Sequence, residues 1–166
     1  MRTVLIFPPP GPIRSGQPTR RLTRVCYPGT SEMPLANILI VDDTAEVLEV
    51  TASILEDAGY AVLRCRDSRE ALAVLQDGHA IDLLLTDITM PGEIDGFELA
   101  REARVTRPLL PIAYVTGYFP PRPEDMSGLL GPVLRKPYRR DDLTRQIKGL
   151  LAGSEDAHRC TQTRWK

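Results

Sequence analysis

The chain has 166 residues, a length that suits one globular domain with an ordinary core. Apolar residues make up 42% of it and charged residues 26%, which is typical of a water-soluble globular protein. The net charge of −1 is unevenly spread, because residues 1–32 hold five arginines and one glutamate, whereas residues 33–166 hold 16 Lys or Arg and 21 Asp or Glu. An acidic body argues against nucleic-acid binding, for which a basic surface is expected.

The first 35 residues are rich in Pro, Arg and Gly and show no sustained periodicity, which predicts a disordered extension. Two other interpretations stay open. An Arg-rich, acid-poor start resembles an organelle transit peptide. Alternatively, translation begins at Met33, because the ordered pattern follows it almost at once.

Three cysteines, Cys26, Cys65 and Cys160, are odd in number and far apart. They have no metal-ligand spacing and suggest no disulfide framework, which fits a reducing, cytoplasmic compartment. No apolar stretch approaches the roughly 20 residues needed to span a bilayer, so no membrane association is expected.

Apolar runs typical of strands alternate with amphipathic helical patterns from Asn37 onward. The predicted strands are residues 37–41, 60–64, 81–86, 111–115 and 132–135. The predicted helices are residues 44–58, 68–76, 95–107, 119–128 and 141–152. Thr44 and Ser68 are predicted N-caps, and several prolines shorten the fourth helix. A polar tail is predicted for residues 153–166.

Five strands that alternate with helices predict an α/β domain at residues 36–152, with helices on both faces of a parallel sheet. The strand order we expect is 2-1-3-4-5, a flavodoxin-like, doubly wound five-stranded sheet with about five helices. This order places the carboxyl ends of the first and third strands side by side, at the switch point where ligands bind.

Polar residues stand at four predicted strand ends: Asp42 and Asp43, Asp87, Thr116 and Lys136. Three carboxylates brought together repel one another, so either their pKa values rise or a cation neutralises them. Carboxylate and carbonyl oxygens with water suit Mg²⁺ or Mn²⁺. A lysine and a threonine can bind phosphoryl oxygens, and a carboxylate can itself be a nucleophile. The pattern therefore predicts a pocket for one divalent cation and one phosphoryl group.

Four short strings in this order resemble a response-regulator receiver domain, the phosphoacceptor module of two-component signalling. They are ILIVDD at 38–43, LLLTDITMPGEIDG at 83–96, YVTGY at 114–118 and LRKPY at 134–138. The resemblance implies that Asp87 accepts phosphate from a histidine kinase or histidine phosphotransfer protein. It also implies that Asp42, Asp43 and Asp87 bind Mg²⁺.

The same resemblance assigns further roles around the pocket. The backbone carbonyl of Thr89 would be another metal ligand. Thr116 would turn towards the phosphoryl group, and Lys136 would pair with it. Pro137 would follow a cis peptide bond.

One departure from the family pattern concerns output. Val133 stands where the family usually has an aromatic residue on the fifth strand, three positions before the lysine, so the usual aromatic switch is not expected. Only 14 residues follow Ala152, too few for a helix-turn-helix domain. Output is therefore expected through an unknown protein partner or by passing phosphate on. By its position, Tyr118 is expected to cover the pocket and slow the loss of phosphate.

Two other functions stay open beside this phosphorylation switch, which is not expected to be a conventional enzyme. A receiver-like interaction module that is never phosphorylated would keep only the fold. An aspartyl-phosphate phosphatase would need a second Asp two residues after the nucleophile, where this chain has Thr89.

Overall fold

The structure, a computed structural model, describes residues 34–117 and 128–162. Its strands are β1 Asn37–Val41, β2 Ala61–Cys65, β3 Leu83–Asp87, β4 Ile112–Thr116 and β5 Val133–Arg135. Its helices are α1 Ala45–Asp57, α2 Ser68–Gln76, α3 Gly96–Thr106 and α4 Arg140–Gln162. All neighbouring strands pair in parallel, in the order β2-β1-β3-β4-β5. The flavodoxin-like prediction is confirmed.

The core lies in two layers because successive strand residues point to opposite faces of the sheet. Leu39 and Val41 of β1 belong to a layer under α2 and α3 that also holds Leu99. Ile38 and Ile40 of the same strand belong to the layer under α1 and α4, which we call the α1 layer. The α1 layer comprises Ile38, Ile40, Leu48, Ala52, Leu55, Tyr60, Val62, Leu83, Leu85, Ala113, Val115, Leu143 and Ile147. Both faces are covered, as near-continuous apolar strands require.

Helix starts differ in part from the predicted caps. Thr44 is the N-cap of α1, but its side chain forms no capping hydrogen bond. The N-cap of α2 is Asp67 and not Ser68, since the Asp67 carboxylate accepts a hydrogen bond from the Glu70 amide at 2.8 Å. A carboxylate reaches the third amide of the helix readily, whereas the Ser68 hydroxyl instead donates to the carbonyl of Ile94.

The last helix is longer than predicted, since α4 continues past Ala152 to Gln162. No proline interrupts this stretch, and a single glycine, Gly153, lowers helix stability without ending the helix. Most of the predicted polar tail is thus helical. Outside the described ranges lie residues 1–33 of the predicted 1–35 extension, Tyr118 and nearly all of the predicted helix at 119–128.

Among the residues that the structure describes, no helix combines the length and apolar character needed to cross a membrane.

Candidate functional site

Strand β1 delivers two carboxylates to the carboxyl edge of the sheet. Val41 pairs with Cys65 in β2, and the Asp42 amide extends this ladder by donating to the Cys65 carbonyl at 3.2 Å. The Asp42 carboxylate accepts a hydrogen bond from the Thr44 amide at 3.0 Å, so the turn into α1 fixes its position. Asp42 is buried, and Asp43 beside it is more exposed.

Strand β3 ends on Asp87, which is also buried. Its Oδ1 atom accepts a hydrogen bond from the amide of Thr89 at 3.0 Å. Carboxylate oxygens of Asp42, Asp43 and Asp87 all lie within 4.8 Å of one another. The predicted convergence of these three carboxylates is confirmed by the geometry of the sheet edge.

Lys136 follows β5 and points into the same pocket. Its Nζ atom lies 2.6 Å from Asp42 Oδ2 and 2.5 Å from Asp87 Oδ2. Its backbone amide donates to the carbonyl of Thr116 at 2.7 Å, which joins the ends of β4 and β5. The Lys136–Pro137 peptide bond is cis, as the resemblance implied. Thr116 is buried at the end of β4, so the structure brings all the side chains predicted for the site to one edge.

Burial and charge act against each other in this pocket. Burial raises the pKa of Asp42, and the hydrogen bonds from Lys136 and from the Thr44 amide only partly oppose this rise. Burial also acts to lower the pKa of Lys136, but hydrogen bonds to Asp42 and Asp87 outweigh it, so this pKa is raised. The ammonium therefore stays charged and holds the two buried carboxylates together.

The donor set fits a hard divalent cation. Three carboxylates face one ammonium, so the cluster keeps an excess of negative charge. Among the described residues, no lysine or arginine forms an ion pair with Asp43. Oxygen ligands in this number, on one side of a partly open pocket, suit Mg²⁺, which keeps several of its waters. Asp42, Asp43 and Asp87 could thus hold the ion.

Two features of the site were not predicted from the sequence: the close approach of Gly96 to β3 and the hydrogen bond from the Thr89 amide to Asp87. Gly96 begins α3 directly against β3, where an added Cβ would lie 2.0 Å from the carbonyl oxygen of Asp87. The pair Asp95-Gly96, an N-cap followed by a residue without a side chain, is the signal that could have indicated this approach. Thr89 contributes its amide to Asp87, whereas the role of its carbonyl stays a prediction.

The surroundings of Val133 show where an aromatic side chain lies near β5. Val133 pairs with Tyr114 of β4 in the sheet register and packs against the layer under α3. Tyr114 is fully buried, and its ring centroid lies 5.5 Å from that of Phe97. An aromatic side chain is thus present beside β5, but on the neighbouring strand.

Fold and pocket together define a flavodoxin-like α/β protein with an acidic site at its switch point. The family model described as the response regulator receiver domain matches residues 38–148. The chain belongs to this family, and it carries a receiver domain of two-component signalling. Domains of this family are signalling switches, and they generally bind Mg²⁺ at an acidic site.

Similar proteins include receivers that consist of little more than this domain. The response regulator receiver protein CpdR of Brucella abortus is 35% identical over 119 residues, which are 70% of this chain and 98% of that protein. The response regulator SaeR of Staphylococcus aureus is 26% identical over 126 residues, but these are only 54% of its length.

Solved structures of receiver domains are also similar to this chain. A CheY-like receiver domain protein from Methanospirillum hungatei is 34% identical, with a TM-score of 0.68, and the match covers 74% of this chain and 98% of that one. A receiver protein from Sinorhizobium medicae is 33% identical, with a TM-score of 0.66, and the match covers 72% and 96% of the two chains.

Proposed function

We propose that this protein is a phosphorylation switch that accepts a phosphoryl group on Asp87 from a histidine kinase or a histidine phosphotransfer protein. The observation that carries the proposal is the single pocket in which Asp87, two further carboxylates and Lys136 meet. Membership in the receiver family supports it, since such domains interact with phosphorylated histidine proteins. The functional unit we propose is residues 36–152.

In the proposed reaction, an oxygen of the Asp87 carboxylate attacks the phosphorus of a phosphohistidine. A new O–P bond forms while the P–N bond breaks, and the electron pair returns to the imidazole nitrogen, which takes up a proton. The Thr89 amide, 3.0 Å from Oδ1 of Asp87, fixes the carboxylate. The attacking atom would be Oδ2, which Lys136 contacts at 2.5 Å and would release as it moves to the phosphoryl group. The product is an acyl phosphate.

Positioning and charge neutralisation are the main requirements of phosphoryl transfer. Mg²⁺, held by Asp42, Asp43, Asp87 and the Thr89 carbonyl, would add two positive charges to that of Lys136 and would supply a binding position for a phosphoryl oxygen. Lys136 already touches Asp87, so its ammonium needs only a small displacement to reach an oxygen of the new phosphoryl group. Thr116 lies at the end of the adjacent strand and would donate a hydrogen bond to another oxygen.

The protein would turn over only its own phosphoryl group and would signal through a protein contact or pass phosphate on. Cys65 is a free, buried thiol, which supports a reducing compartment, and we propose the cytoplasm. No observation in the pocket favours the phosphatase, which would need an acid where Thr89 stands.

Intact-mass spectrometry tests the proposal after incubation with Mg²⁺ and acetyl phosphate. We expect one added phosphoryl group in the wild type, and none in Asp87→Asn or after chelation of the metal. The control Asp77→Asn makes the same change at an exposed carboxylate after α2 and should label normally. No adduct together with no Mg²⁺ binding would contradict the proposal and favour an interaction module. No adduct with Mg²⁺ bound would require the same test with a phosphorylated histidine phosphotransfer domain as donor.

A further inference from the structure

Tyr138 lies two residues after Lys136 and packs its ring against the α1 layer. Its hydroxyl lies 2.5 Å from the hydroxyl of Thr51, a buried residue in the middle of α1. These two residues are 87 positions apart in sequence. The contact therefore joins the segment that carries Lys136 to the helix that follows the acidic pair Asp42 and Asp43.

The direction of this hydrogen bond follows from proton counting. Thr51 Oγ1 donates its only proton to the Val47 carbonyl at 2.7 Å. The Tyr138 hydroxyl must then donate to Thr51. Burial raises the pKa of Tyr138, so the phenol keeps its proton at neutral pH. Both hydroxyls thus find partners inside an otherwise apolar layer, where an unpaired hydroxyl would be costly.

We propose that the Thr51–Tyr138 hydrogen bond holds Lys136 in place, which makes Thr51 and Tyr138 positioning residues for phosphoryl transfer to Asp87. The kinetic part of this inference rests on the proposed function. Among the described residues, no hydrogen bond joins Thr51 or Tyr138 to the side chain of Asp87 or Lys136. Both residues therefore act through the chain segment that contains Lys136.

The segment around Lys136 is held from two sides. Before the side chain, the Lys136 amide is bound to Thr116 of β4. After it, Tyr138 is bound to α1, whose first turn follows Asp42 and Asp43. A lysine side chain is long and flexible, and its ammonium must leave Asp42 when a cation or phosphoryl group enters the pocket. A fixed backbone on both sides limits how far the ammonium can move during this exchange.

Tyr138→Phe and Thr51→Val remove the hydrogen bond while they keep the ring and the branched shape. The first readout is the ¹⁵N ammonium signal of Lys136 in the metal-free protein, together with its proton exchange with water. We expect faster exchange or loss of this signal in each variant. The double variant should show no further change in the Lys136 signal, because each single variant already lacks the Thr51–Tyr138 bond.

The second readout is the initial rate of labelling by acetyl phosphate with saturating Mg²⁺. We expect each single variant to label about tenfold more slowly, as small displacements of a catalytic group often cause. Tyr60→Phe is the matched control, because Tyr60 is a buried tyrosine of the same α1 layer and lies before β2, at the opposite edge of the sheet. Thr144→Val controls for the loss of a threonine that bonds to the carbonyl four residues before it.

An unchanged Lys136 signal in both folded variants would overturn the inference, whatever the labelling rate. An equal change in Tyr60→Phe would also overturn it, since core packing alone would then explain the effect. If the wild type takes no label at all, the proposed function fails, while the Lys136 signal still decides whether the hydrogen bond positions this side chain. Either single variant suffices if the other does not fold.

Discussion

At the scale of single residues, the pocket balances buried negative charge against one ammonium. Asp42, Asp87 and Thr116 are 2%, 6% and 2% exposed, and Lys136 bridges the two aspartates. The sequence predicted these residues because each stands at a strand end, where parallel strands converge. It could not predict that the metal-free ammonium binds both carboxylates at once, since that depends on side-chain distances between three strands.

The raised pKa of Asp42 predicts a pH-dependent effect of Asp42→Asn on stability. The folded state holds the Asp42 proton more tightly than the unfolded chain, where the pKa is near 3.8. Stability is therefore lost as pH rises from about 3.8 through the folded pKa. The net shift already includes the bond from Lys136, so the ionised side chain is unfavourable in the fold.

With metal chelated, Asp42→Asn should be more stable than the wild type at pH 7. The difference should shrink as the pH falls towards 3.8. Urea unfolding at several pH values measures both effects. A variant that is less stable than the wild type at pH 7 would show that the ion pair with Lys136 outweighs burial.

Burial, with Glu70 and Asp67 nearby, raises the pKa of Cys65 to about 12. Because the thiolate is the reactive form, the Cys65 thiol should be inert in the folded protein at pH 8. In the variant Cys26→Ser/Cys160→Ser, we expect no reaction with Ellman's reagent until denaturant is added, and then one thiol per chain. Rapid reaction of the native protein would contradict the buried position of Cys65.

At the scale of elements, the order and type of strands and helices were predictable, because apolar runs and amphipathic patterns differ clearly along this chain. The hydrogen bonds at the helix starts were less predictable. Asp67 replaces Ser68 as the cap of α2. Thr44 begins α1 without a side-chain capping bond, and its amide donates to Asp42. The close approach of α3 to Asp87 was not predicted, since only the packed helix brings Gly96 to that carbonyl.

Gly96→Ala should therefore disturb both the fold and the pocket. The added methyl group would meet backbone atoms of β3 that cannot move aside, which should lower the free energy of unfolding by about 2–4 kcal/mol. Labelling of Asp87 should also slow. The control Gly149→Ala is exposed in α4 with nothing near its added Cβ, and it should gain up to about 1 kcal/mol.

Urea unfolding and the labelling assay measure these two glycine variants side by side. Equal stability of Gly96→Ala and the wild type would show that α3 can shift away from β3 at little cost.

At the scale of the whole molecule, the strand order determines which strand-end residues meet. Order 2-1-3-4-5 makes β1 and β3 neighbours, and this brings Asp42 and Asp87 together. Periodicity alone allows other orders, so this one was chosen because it places the strand-end carboxylates together at the switch point. The longer α4 could not be anticipated from apolar periodicity, because its last residues are mostly polar.

Metal binding should stabilise the whole domain. A ligand present at 100 times its Kd raises the free energy of unfolding by about 2.7 kcal/mol when it binds only the folded state. We expect this gain for Mg²⁺ in the wild type. Asp43→Asn should lose much of it and keep nearly normal metal-free stability, since Asp43 is the more exposed carboxylate. Equal stabilisation of both proteins in thermal melts would remove Asp43 from the metal site.

The central claim is that Asp87 carries the phosphoryl group, and reductive trapping tests it most directly. Borohydride reduces an aspartyl phosphate to homoserine, and peptide mass mapping then identifies the residue that was modified. After labelling with acetyl phosphate and Mg²⁺, we predict homoserine at position 87 and unmodified aspartate at positions 42 and 43. Homoserine at position 42 or 43, with Asp87 unchanged, would contradict the account.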